Sequence, residues 1–135
     1  MNCEPKIVYL AFAFSGNPTG NTRHEREMAL KIMKVHPDWF VFSPHYAIDV
    51  LLDGRINWGK AKSNFTQERR IRAGMMSLAF LYKTDIMILG CEPTYKDSPG
   101  VTWEYVSVRV WNESFRKDNP IKIMTLKEAM KNEDK

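Results

Sequence analysis

The chain has 135 residues, 44% apolar and 27% charged, and its 20 basic against 16 acidic side chains leave a net charge of +4. Those proportions belong to one globular domain over residues 1–135. They exclude wholesale disorder, and no run nears the ~20 apolar residues of a membrane span. The mild basicity suits a small phosphate-bearing ligand better than a nucleic-acid polymer, which asks for a denser basic stripe.

Met1-Asn2-Cys3-Glu4-Pro5 lacks the basic region and apolar stretch of a secretion signal, so a reduced cytoplasmic setting is expected. Cys3 and Cys91 are too few for a metal cluster, and their number alone argues no disulfide.

Ile7 to Phe14 is a continuous apolar run, the habit of a strand buried on both faces of a parallel sheet. Ser15 to Asn21 is turn-rich. The pair Thr22 and Glu25 then reads as a capping box opening a helix, with Met28, Ile32 and Val35 on one face. His36-Pro37-Asp38 ends that helix, and Trp39 to Phe42 is a second strand. Ile48 to Leu52 suggests a turn or two of helix, and Asp53 to Ser63 a basic loop. A long helix resumes near Thr66, with Ile71, Met75, Leu78 and Tyr82 at helical spacing. Asp85 to Gly90 is the third strand, and a helix from about Gly100 to Phe115 follows a loop. Ile121 to Met124 is the last strand. Thr125 and Glu128 cap a short helix before a charged tail that frays.

Strands alternating with helices predict an α/β protein. The expected architecture is a three-layer sandwich around a mainly parallel sheet of four to five strands. Ligands of such sheets sit at the carboxyl ends of the strands, which directs attention to the loops 14–21, 43–49 and 90–104. The third loop has the sharpest pattern, Ser98-Pro99-Gly100-Val101-Thr102-Trp103-Glu104. Ser98 and the amides around Gly100 face the positive end of a helix, an anion site. Glu104, one turn in, can attack an electrophilic carbon or orient a sugar hydroxyl. The same letters also fit a plain helix cap with an acid in the first turn. Tyr9 reads as a hydroxyl near that carboxylate or as one more core ring. His45, Ser15 and Gly16 are loop contacts for a phosphate or base. Arg69 and Arg70 offer guanidinium forks for phosphate, although Glu68 and Arg72 make an ordinary i,i+4 pair on a wet face. No zinc spacing, P-loop, nucleophile elbow or dinucleotide fingerprint appears, so neither a metal nor a cofactor is expected.

Tyr9, His45, the strand opened by Asp85, and Ser98-x-Gly100-x-x-x-Glu104 together resemble the nucleoside 2-deoxyribosyltransferase-like proteins. That group includes the small deoxynucleoside 5′-monophosphate N-glycosidases and uncharacterised, often phage-encoded relatives. Order and approximate spacing follow the family over about residues 6–124. The resemblance implies a flavodoxin-like or Rossmann-like sheet, a homodimer or higher homo-oligomer, and a nucleoside or nucleotide ligand. It casts Glu104 as the nucleophile that attacks the anomeric carbon, and Tyr9 as the group that orients it. Ser98 and nearby amides would then hold a 5′-phosphate. One departure stands out. The family carries an aspartate about two turns before the third strand, and Ser77 stands near that place here. Asp85 is the nearest acid that would compensate. Otherwise the domain is a nucleotide-binding module that senses or sequesters without turnover. A flavin site on a flavodoxin-like sheet is a third reading.

Overall fold

A computed structural model of the chain describes residues 5–11, 18–42, 67–90 and 99–131, with side chains placed from His24, Gly74 and Val101 onward in the three long helices. The first strand, β1 (Lys6–Ala11), sets the architecture. Side chains alternate along a strand, so Val8 and Leu10 enter one face of the sheet, and Tyr9 and Ala11 the other. All four are fully buried, as the unbroken apolar run requires.

Three further strands, β2 (Trp39–Phe42), β3 (Ile86–Leu89) and β4 (Lys122–Thr125), complete an all-parallel sheet in the order β2-β1-β3-β4. Tyr9 is in register with Phe42 on one side and Met87 on the other. The order is that of flavodoxin-like sheets, whose switch point lies between β1 and β3. The helices are α1 (Pro18–Val35), α2 (Gln67–Tyr82), α3 (Pro99–Glu113) and α4 (Leu126–Ala129). The chain steps one way from β1 to β2 and the other way from β2 to β3 and β4. Crossovers of one hand therefore put α1 on one face, and α2 and α3 on the other. Ala29 and Ile32 of α1 and Ala129 of α4 cover Val8, Leu10 and Ile88. Leu81 of α2 and Val101 and Val108 of α3 cover Tyr9, Ala11 and Met87. Each fully buried side chain of this size contributes about 1.5–3 kcal/mol of transfer free energy.

Polar groups fasten the amino edge of the sheet. The Asp85 carboxylate accepts from the Ile7 amide at 2.8 Å, and the Asp85 amide donates to the Ile7 carbonyl at 2.8 Å. Arg116 donates from Nη1 to the Tyr82 and Thr84 carbonyls, each at 2.8 Å, where α2 ends and its carbonyls lack helical partners. Asn112 exchanges two hydrogen bonds with the backbone of Ile121, tying α3 to the start of β4. The Thr125–Glu128 capping box forms as expected.

Two expectations are corrected. The first helix begins at Pro18, so Thr22 and Glu25 lie inside it and form no capping box. Proline's fixed φ suits a first helical turn, which overrides the capping pattern. Among the side chains described in α2 the buried ones are Ser77 and Leu81, whereas Met75 is 64% exposed and Tyr82 is also exposed. Apolar residues run nearly all round that helix, so its spacing did not fix which face is buried. Beyond β1, the expected strand residues 12–14 lie outside the described residues, as do the stretch 43–66 and the tail 132–135.

Candidate functional site

The helices that follow strands start at the carboxyl edge of the sheet and run back over it. The first turns of α3 therefore lie beside the carboxyl end of β3, next to β1. On α3, Val101, Glu104 and Val108 fall at i, i+3 and i+7, so Glu104 interrupts an apolar stripe that faces the sheet. Val101 and Val108 are buried and Glu104 is half-buried.

Across from it, the Tyr9 hydroxyl donates a hydrogen bond to Glu104 Oε2. The Tyr9 ring is fully buried beside Phe42, with centroids 6.0 Å apart. Burial pushes the phenol pKa well above its ordinary value, and the Glu104 carboxylate raises it further through its charge and by accepting the bond. The phenol therefore keeps its proton and serves as a fixed donor to the carboxylate. The Ser77 hydroxyl, on a buried position of α2, acts on the Tyr9 phenol in the opposite sense and favours its ionised form. The Tyr9–Glu104 hydrogen bond thus joins β1 to α3, with Ser77 of α2 acting on the same phenol. A carboxylate gripped this way has a fixed orientation, which both nucleophilic attack and hydroxyl recognition require.

The remaining expected residues divide into two groups. Asp85 is described and does not join Tyr9 and Glu104. Its side chain caps the amino end of β1 at the opposite edge of the sheet. The reason is local: parallel strands leave first-residue amides to be satisfied, and a carboxylate at a strand entrance does this. A cleft of about 570 Å³ lies at that same edge, with Lys83, Asp85 and Arg116 in its wall, away from the Tyr9–Glu104 pair. Ser15, Gly16, His45 and Ser98 lie outside the described residues. Gly100, Arg69 and Arg70 are on described helices, α3 and α2, but no side-chain placement is described for the two arginines.

Sequence reasoning missed Ser77 as a partner of Tyr9, having read it only as a gap in an acidic pattern. It also missed Glu25. That carboxylate is fully buried on α1, and its charge adds to the upward push on the Tyr9 phenol. The signal was present: Glu25, Ala29 and Ile32 lie at i, i+4 and i+7, so the glutamate sits on the helix's apolar stripe. Among the described residues, no group of three or more His, Cys, Asp or Glu side chains is arranged to hold a metal ion, and no helix is long and apolar enough to cross a membrane. No known family, curated protein or solved structure matches the chain.

Proposed function

We propose that this protein cleaves or transfers the N-glycosidic bond of a nucleoside or nucleoside 5′-monophosphate, through a glycosyl ester on Glu104. The observation that carries this reading is the Tyr9–Glu104 hydrogen bond beside the β1–β3 switch point. A buried phenol that cannot ionise near neutral pH holds a carboxylate where α/β sheets of this order bind ligands. The resemblance of Tyr9, His45 and Ser98-x-Gly100-x-x-x-Glu104 to the nucleoside 2-deoxyribosyltransferase-like proteins supplies the substrate class.

In this reading Glu104 attacks the anomeric carbon and the base departs. Water or a second base then resolves the ester, with an oxocarbenium-like transition state in each half. Tyr9 orients Glu104 and tempers its charge before attack. Ser98, Gly100, Ser15, Gly16, His45, Arg69 and Arg70 are the candidates for sugar, base and phosphate contacts. The ligand is a small molecule, and the protein acts in the cytoplasm as a homodimer or higher homo-oligomer.

Ser77 favours a second reading. A serine cannot supply a carboxylic proton, and general acid catalysis is typically worth about 10²–10⁴-fold. A nucleotide-binding module without turnover would keep the Tyr9–Glu104 pair and lack that acid. Incubation with a panel of 2′-deoxynucleosides and their 5′-monophosphates, with free base read by chromatography, separates the two. Base release that disappears in Glu104→Gln supports the enzyme. Tight binding with no base released supports the module, and normal turnover by Glu104→Gln refutes the proposed nucleophile.

A further inference from the structure

α2 carries a glycine in its interior, Gly74, where alanine is the better helix former, so the position asks for a reason. The reason lies on α3, which packs beside α2. An ideal Cβ at Gly74 would stand 3.2 Å from Trp103 Cζ3 and 3.8 Å from Trp103 Cη2. The first distance is tighter than an optimal carbon–carbon contact of about 3.5–4.0 Å. The indole therefore rests on bare backbone of α2, and a residue without a side chain leaves it that room. Trp103 is 53% exposed, so its outer side is in water while its inner edge meets this seat. The seat adjoins the Tyr9–Glu104 pair on both helices. Trp103 is the residue before Glu104, and Gly74 stands one turn before Ser77 on the same side of α2. Glu104 and Ser77 both act on the Tyr9 hydroxyl. The spacing of α2 and α3 at this one level thus bears on how both groups meet one buried phenol.

We infer that Trp103 is a positioning residue for Glu104 and Gly74 its seat: the indole, resting on the α2 backbone, sets the helix spacing at which Tyr9 holds the Glu104 carboxylate. The effect on turnover rests on the glycosyl-transfer reading above, whereas the effect on the Tyr9–Glu104 bond does not. Packed helices stand about 8–10 Å apart, and the side chains at their contact decide where in that range. Tyr9 is fully buried in β1 and held by the sheet. A change in spacing therefore moves Glu104 relative to Tyr9 instead of carrying both along. A methyl group at Gly74 displaces the indole by a few tenths of an ångström, and a larger side chain displaces it further. A misplacement of about 1 Å can cost about 10²-fold in rate.

The test is a cycle of Gly74→Ala, Gly74→Val and Trp103→Phe, singly and combined, read in two ways. The first is base release from a 2′-deoxynucleoside 5′-monophosphate. Gly74→Val is expected to lower kcat about 10²-fold and Gly74→Ala about threefold, with KM within about threefold of wild type. Phenylalanine lacks the outer indole ring that touches the seat. Trp103→Phe is therefore expected to restore about tenfold when combined with Gly74→Val, although it lowers kcat by itself. The second reading needs no substrate. It is the pH at which tyrosinate absorbance of Tyr9 appears, taken against the matching Tyr9→Phe protein. Glu104 raises that pH, so a displaced Glu104 lowers it in Gly74→Val, and adding Trp103→Phe brings it back. An unmoved Tyr9 titration in Gly74→Val, or losses that simply add in the double variant, overturns the inference while leaving the nucleophile standing. A wild type that releases no base overturns the parent reading alone, because the Tyr9 titration still decides whether Trp103 positions Glu104. Gly74→Ala favours the helix and keeps the fold, and it is expected to move the titration in the same sense by less.

Discussion

Replacing Tyr9 with phenylalanine removes one oxygen from the centre of the site and exposes the electrostatics that surround it. In the folded chain that oxygen is fully buried and donates to Glu104. A hydrogen bond to a charged group is worth about 1.5–3 kcal/mol, so Tyr9→Phe is expected to lower stability at pH 7 by about that amount. The pH dependence is the sharper test. Burial and Glu104 hold the Tyr9 pKa well above its ordinary value of about 10. Below pH ~10 the phenol is protonated in both folded and unfolded chains, and its contribution to stability is fully present. Above pH ~10 the unfolded chain loses that proton and the folded chain keeps it. Stability then falls by about 1.4 kcal/mol per pH unit until the folded pKa is reached. Phenylalanine has no proton to lose, and other titrating groups are common to both proteins. Urea unfolding of the two, followed by tryptophan fluorescence from pH 8 to pH ~11.5, reads the difference directly. The advantage of tyrosine over phenylalanine is expected to be flat to pH ~10 and to shrink above it, at up to about 1.4 kcal/mol per pH unit. A difference that stays constant over that range would mean that Tyr9 ionises equally in both states. The buried phenol–carboxylate pair would then not exist in solution.

The charge of Glu104 is the second cause of the raised Tyr9 pKa, after burial. Glu104→Gln should therefore lower the pH at which tyrosinate absorbance from Tyr9 appears, yet leave it above that of a free tyrosine. Asp85→Ala removes the acceptor of the Ile7 amide and is expected to cost about 1–3 kcal/mol in denaturant unfolding. Because Asp85 lies at the far edge of the sheet, the folded variant should release base at the wild-type rate. Thr125→Ala removes the capping hydroxyl of α4 and should cost about 1 kcal/mol by the same assay, with no effect on the site.

The fold was legible because its strands are short, mostly apolar and separated by helices, a pattern that a parallel sheet with covered faces accommodates. Trp39–Phe42 was read to the residue, and the Thr125–Glu128 cap was a complete local signal. The errors fell where two local signals competed. Thr22 and Glu25 match a capping box, but Pro18 starts the helix earlier and rotates Glu25 onto the buried stripe. In α2, Met75, Leu78, Phe80, Leu81 and Tyr82 offer several apolar faces. Only packing against β1 and β3 decides that Ser77 and Leu81 turn inward. Glu104 and Tyr9 were legible as candidates through spacing and resemblance, whereas their hydrogen bond joins residues 95 apart in sequence. Asp85 shows the opposite case: an acid at a strand entrance looks the same in sequence whether it does chemistry or holds a neighbouring amide. Here it holds the amide of Ile7.

Intact-protein mass spectrometry after incubation with a 2′-deoxy-2′-fluoroarabinonucleoside 5′-monophosphate tests the central claim most directly. Fluorine at C2′ disfavours the oxocarbenium-like transition states and lets a glycosyl ester accumulate. The expected result is one added fluorosugar phosphate per chain, mapped by peptide sequencing to Glu104 and absent in Glu104→Gln. Base released with no adduct at Glu104, or an adduct that persists in Glu104→Gln, would contradict the account.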